Sequence, residues 1–217
     1  MKTECQAIYY DQTEEKINTI THAFGLLFSV IALVFLIIKA SLYGDAWHVV
    51  SFSTFGISLV ILYSASTLYH SSKTSKTRAR LKIFDHASIY VLIAGTYTPF
   101  ALVTLSGKTG WWIFGTTWLF ALTGIILKLF FTGKYGKLST LMYVLMGWII
   151  LFAIKPLINN LSIEGFFWLF TGGISYTLGA ILYSFDEIKF NHAIFHIFVL
   201  VGSFCHFVSV YYYVLKV

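Results

Sequence analysis

The sequence predicts an all-α protein, a bundle of seven transmembrane helices with a cytoplasmic N-terminus. Three observations lead there. Of its 217 residues, 58% are hydrophobic and only 11% charged, whereas a soluble domain carries about 25% charged residues. Seven apolar stretches are each long enough for the roughly 20 residues that cross a hydrocarbon core of about 30 Å. The joints between them are short and carry turn formers.

The stretches run over 17–39, 47–70, 84–105, 110–131, 138–157, 165–184 and 191–214. Unbroken apolar runs such as Leu26 to Ile38 exclude the ten-residue alternation of a membrane β-barrel. Gly44-Asp45, Ser106-Gly107-Lys108, Gly133-Lys134 with Gly136-Lys137, and Asn159-Asn160 break the chain between stretches. Pro99 falls inside the third stretch, where it removes a backbone donor and predicts a kink. Residues 1–16 mix Lys2, Glu4, Asp11, Glu14, Glu15 and Lys16. That pattern lacks the apolar core of a cleaved signal, so 1–16 reads as a cytoplasmic polar tail and 17–217 as the membrane domain.

Loop charge sets the orientation. Lys2, Lys16, Lys73, Lys76, Arg78, Arg80, Lys82, Lys128, Lys134, Lys137 and Lys189 fall on one side, against Lys39, Lys108, Lys155 and Lys216 on the other. Eleven against four places the N-terminus in the cytoplasm and the C-terminus outside. The five basic residues of loop 71–83 read as an anchor for anionic headgroups. They lack the aromatic interleaving of a nucleic-acid site, so no nucleic acid is expected. Membrane lipids are the expected partners, with a lipid substrate or fatty-acid ligand among them. Cys5 and Cys205 form no metal or disulfide pattern and read as inert thiols.

Ionisable groups inside spans are costly and are functional suspects. His70 ends the second stretch, with Ser66 one turn deeper on the same face. Asp85 and His86 open the third, and His192 and His196 open the seventh at spacing i, i+4. His22 lies about one turn inside the first, after Glu15 and Asn18. Four spans thus bring these groups to one membrane depth. Three imidazoles from two helices suit a zinc site that leaves a fourth position open. Taken singly, Asp85 reads as a helix N-cap, Ser66 as back-bonded to its own helix, and His48 and His206 as interfacial. His206 lies about 15 Å from His196 along the helix, too far to share a metal. The aromatics read mainly as lipid-facing or belt residues.

Glu15-x-x-Asn18-x-x-x-His22, Ser66-x-x-x-His70 followed by Asp85, and His192-x-x-x-His196 together resemble the three motifs of the hemolysin III and progestin and adipoQ receptor families. The segment Asp85-His86-Ala87-Ser88-Ile89-Tyr90, running on to Ala94-Gly95-Thr96-Tyr97-Thr98-Pro99-Phe100, resembles the bacterial hemolysin III branch. The resemblance covers essentially the whole chain. It implies the seven-helix fold and a zinc ion on His70, His192 and His196. By analogy with the related alkaline ceramidases it places Asp85 and Ser66 beside the metal's water.

Four functions are compatible with these residues. The first is a zinc-dependent hydrolase of a lipid amide, with Asp85 as general base and Ser66 as water-orienting or oxyanion-stabilising group. Glu15, Asn18 and His22 would then orient the site from behind the ligands. The second is a non-enzymatic sensor of membrane state with structural zinc, whose shell Asp85 would complete directly or through water. The third is a cytolytic pore-former, and the fourth a bis-histidine haem protein.

Overall fold

The computed structural model describes residues 9–132 and 135–215. The chain forms α1 (Gln12–Tyr43), α2 (Ala46–Ser71), α3 (Ser75–Pro99), α4 (Gly107–Phe131), α5 (Gly136–Gly147), α6 (Ile154–Asn160), α7 (Ile163–Tyr183) and α8 (Asn191–Ser209). Seven helical rods are long and apolar enough to cross a membrane. The third is α3 continued by a π-helix over Phe100–Leu105. The fifth is α5 and α6 joined through a 3₁₀ turn at Ile149–Ala153, and the seventh is α8 continued by a π-helix over Val210–Val214. Cys5 and the charged residues Lys2, Glu4, Lys134 and Lys216, with the joint at Gly133, lie outside the described residues.

The apolar stretches form these rods because the backbone has no other partner in hydrocarbon than itself. Each boundary has a local cause. Asp11 accepts from the Thr13 N–H and opens α1 well before residue 17, so Gln12–Lys16 are helical. Asp45 caps α2 through the Trp47 and His48 N–H groups, and His48 returns a ring nitrogen to the Asp45 N–H. His48 is therefore a capping residue. Helix α3 begins at Ser75, so most of the expected loop 71–83 is helix and the joint is only Ser72–Thr74. Asp85 stands in mid-helix, which overturns its reading as an N-cap. Pro99 has a local consequence other than a simple bend. The backbone beyond it takes π spacing, and the Ser106 N–H reaches back to the Ala101 carbonyl at 3.0 Å. Ser106 and Gly107 then turn the chain with φ of 46° and 50°.

Consecutive rods run antiparallel. Helices α1 and α2, α2 and α3, α3 and α4, and α7 and α8 pack in pairs; α5 touches α3 and α7, and α1 meets α8 to close the ring. Helix α3 is the most enclosed rod, whereas α1 turns Phe24, Leu27, Phe28, Ile31 and Phe35 outward. Such apolar exposure matches lipid as solvent. The aromatics divide between two duties: Tyr63, Tyr90, Phe52, Phe55 and Phe100 are buried core, whereas Phe28, Trp111, Trp112, Phe130 and Phe204 face outward. Small residues set the closest approaches, as between helices in lipid. A Cβ on Gly124 would meet the Tyr90 ring at 2.4 Å.

Candidate metal centre

Helix periodicity puts His192 and His196 on one face of α8, and α2 brings His70 up against them at the end of the bundle that carries the N-terminus. All three are buried, at 5%, 2% and 4% exposure. One ring nitrogen from each lies within 4.8 Å of the others, a group that could hold a metal ion. His70 Nε2 and His192 Nε2 are 3.1 Å apart.

The other side of each ring explains why these nitrogens face one another. Glu15 Oε2 lies 2.8 Å from His70 Nδ1. A carboxylate can only accept, so Nδ1 carries the proton and Nε2 of the neutral ring presents its lone pair. Tyr10 Oη stands 3.1 Å from His192 Nδ1 and Thr21 Oγ1 3.5 Å from His196 Nδ1. The Thr21 hydroxyl already donates to the Ile17 carbonyl, which leaves its oxygen to accept. Two imidazole lone pairs pointed at each other at 3.1 Å repel unless a cation or proton lies between them. The donor set thus fits a metal ion.

Glu15 is itself held. The Arg78 guanidinium donates to Glu15 Oε1, and the Tyr10 N–H donates to the same oxygen at 2.9 Å. Arg78 also donates to the carbonyls of Tyr69 at 3.0 Å and His70 at 3.3 Å, which closes the C-terminal end of α2. Its guanidinium lies between the rings of Tyr9 and Tyr69, at 4.6 and 4.5 Å. Arg78 and Lys82 are buried, so two of the five basic residues of 71–83 point inward and are not headgroup anchors. The Tyr10 phenol is pushed well above its ordinary value, chiefly by burial. It therefore meets His192 as a neutral hydroxyl.

His22 joins the group by stacking and not by a hydrogen bond. Its ring lies over that of His196 with centroids 3.5 Å apart and planes within 8°. Asn18 is fully buried, and neither of its side-chain polar atoms has a hydrogen-bond partner among the described residues. Asp85 and Ser66 do not belong to the metal-ligating group. They line, with His22, His192 and His196, a cavity of about 170 Å³ walled mainly by α2, α3, α5, α7 and α8, to which α1 adds His22 and α4 adds Lys128. Ser66 Oγ does not bond back to its own helix. His206 is not interfacial: it is buried between α7 and α8, its Nε2 3.1 Å from the Leu169 carbonyl, and it lines the far end of the cavity.

Sequence reasoning missed Tyr10, Thr21 and the inward turn of Arg78. Thr21 had a signal, since it lies next to His22 on the same helix. Tyr10 and Arg78 had none, because their roles depend on how the segment before α1 and the start of α3 fold over the end of α2.

Residues 10–207 match the protein family described as Haemolysin-III related. The chain is 51% identical over 204 residues to the "Hemolysin-3 homolog" of Bacillus subtilis (strain 168), covering 94% of this chain and 96% of that protein. It is 50% identical over 202 residues to the "Hemolysin-3" of Bacillus cereus, with 93% and 92% covered. It is also similar, at 27% identity over 213 residues, to the human "Monocyte to macrophage differentiation factor", with 94% and 85% covered.

Proposed function

The chain belongs to the haemolysin-III-related family, and from that premise we propose that it is a membrane-embedded, zinc-dependent hydrolase acting on a lipid amide. One observation carries this reading: three buried histidines, each with its back nitrogen occupied, form a group that could hold a metal ion, and two of them, His192 and His196, line a cavity with a carboxylate and a hydroxyl that are not among the three. Structural zinc sites usually close with four protein ligands, whereas catalytic sites use three. Nitrogens about 2.0–2.1 Å from a tetrahedral zinc lie about 3.3–3.4 Å apart, close to the 3.1 Å between His70 and His192.

His70, His192 and His196 would hold the ion. Zinc bound there would lower the pKa of water and polarise a carbonyl. The chain's own residues would do the rest. Asp85 takes a proton from the attacking water as the water oxygen adds to the amide carbon. Ser66 donates a hydrogen bond to the carbonyl oxygen as negative charge develops on it. The C–N bond then breaks, and Asp85 returns the proton to the leaving amine, so amide and water become acid and amine. Glu15, Tyr10 and Thr21 fix the orientation of the three rings.

The test is Asp85→Asn. General-base contributions are about 10²–10⁴-fold, so the variant should keep its zinc and lose amide hydrolysis by that factor. Loss of zinc and of thermal stability together, in a parent protein that hydrolyses no lipid amide, would favour a structural metal in a sensor.

A further inference from the structure

Lys128 lies one turn before the C-terminal end of α4, yet it does not extend to the surface. A lysine near the end of a spanning helix ordinarily snorkels its ammonium into water. Lys128 is 6% exposed, and its side chain forms part of the cavity wall. An ammonium has three N–H donors and no acceptor. One donor meets Ser139 Oγ at 2.7 Å, and Nζ stands 5.8 Å from the centre of the Tyr143 ring. Ser139 donates its own proton to the Tyr135 carbonyl, so it acts here only as an acceptor. None of the ion pairs among the described residues includes Lys128.

Asp85 is the acidic residue that lines the cavity with Lys128, and no ion pair joins the two. His86 also lines it, with a buried Nδ1 that has no hydrogen-bond partner. Much of the remaining wall is apolar, with Leu92, Ile93, Val144 and Val199, and His192, His196 and His206 also line it. A charge buried in a membrane protein is expensive unless it is paired or serves a pathway or ligand. A cavity with one cationic end and an apolar trunk has the shape of an amphiphile with an anionic head.

We propose that Lys128 is a headgroup-recognition residue, and that the cavity selects lipids whose carboxylate or phosphate it binds. This rests on the cavity being the lipid site of the proposed function, but not on turnover. Binding of oleate, 18:1 lysophosphatidate and monooleoylglycerol should be measured by native mass spectrometry on purified protein in neutral detergent. At least one of the two anionic probes should bind about tenfold or more tightly than the neutral one, as a charge-assisted hydrogen bond supplies. Lys128→Met should abolish that preference while leaving monooleoylglycerol binding in place, and Lys128→Arg should keep it. Equal binding of all three probes by the parent protein overturns the proposal without recourse to any variant.

His196→Ala separates this idea from the metal. If the preference for the anionic probes survives in that variant, Lys128 recognises the head whether or not the chain is a hydrolase. If it disappears there but survives in Lys128→Met, the metal binds the anion and the assignment of Lys128 is wrong. Inorganic phosphate decides the source: failure to displace lysophosphatidate supports a lipid, and displacement at comparable concentration overturns the lipid assignment.

Discussion

Glu15 sets the proton position of His70, and Arg78 sets the position of Glu15. Glu15→Gln keeps the size of the side chain but can turn an amide N–H toward Nδ1, which frees the ring to take the wrong tautomer. Groups that orient metal ligands are worth about 10–100-fold in affinity. Zinc titration of Glu15→Gln should show a loss in that range, and unchanged affinity would remove Glu15 from the site. Tyr10→Phe deletes the hydroxyl facing His192 Nδ1 at 3.1 Å and should give a smaller loss of the same sign. Changing His196 itself to Ala should empty the site; full zinc occupancy in that variant would refute the ligand assignment.

At the scale of the element, helix contacts are decided by small residues and by caps. A Cβ on Gly172 of α7 would meet His206 Cδ2 at 2.3 Å and the Gly202 carbonyl at 3.1 Å. Overpacking of this kind costs about 1–3 kcal/mol. Gly172→Ala should therefore lower the melting temperature, and most of the loss should be recovered in combination with His206→Ala, since the two sites are in contact. An additive double variant would mean that α7 and α8 are not held by this approach. The Asp45 cap gives a pH dependence at the opposite end of the bundle. Its carboxyl is held below the ordinary range, first by the His48 side chain and then by backbone N–H groups. A depressed folded value means that the cap contributes above the unfolded pKa of Asp and is lost as pH falls through the folded value. Protection of the Trp47 and His48 amides against exchange, taken relative to the intrinsic rate at each pH, should fall in that acidic range and stay constant above it.

Across the whole molecule, the candidate metal centre joins His70 of α2 to His192 and His196 of α8, which are far apart in sequence. Removing metal with a chelator should lower the melting temperature, because a ligand bound only to the folded state stabilises it by mass action. Hydrogen exchange should rise at the ends of α1, α2 and α8 near His22, His70 and His192, and stay constant at Gly44–Asp45 and Leu161–Ser162. The proposed orientation is tested by cysteine labelling in intact cells. A cysteine at position 76 should resist an impermeant external reagent, and rapid labelling there would invert the topology.

Composition and stretch length were enough to read seven spanning helices, because hydrocarbon imposes one requirement on every residue of a span: apolar side chains outside and backbone bonds inside. The histidine positions were equally legible. Helix rise and the i, i+4 repeat place His70, His192 and His196 at one depth before any packing is known. What the sequence did not determine was direction. Arg78 and Lys82 look like Lys76 and Arg80 in the sequence, yet they turn inward because α3 starts at Ser75 and carries them under the end of α2. Lys128 counts as a loop charge in one dimension and becomes part of a cavity wall in three. Tyr10, Glu15 and Thr21 meet three different histidines across 182, 55 and 175 residues of chain. Local propensity fixes where a helix begins and which groups share its face. Only the packing of helices distant in sequence fixes which nitrogen faces which oxygen, and so which charges reach the cavity.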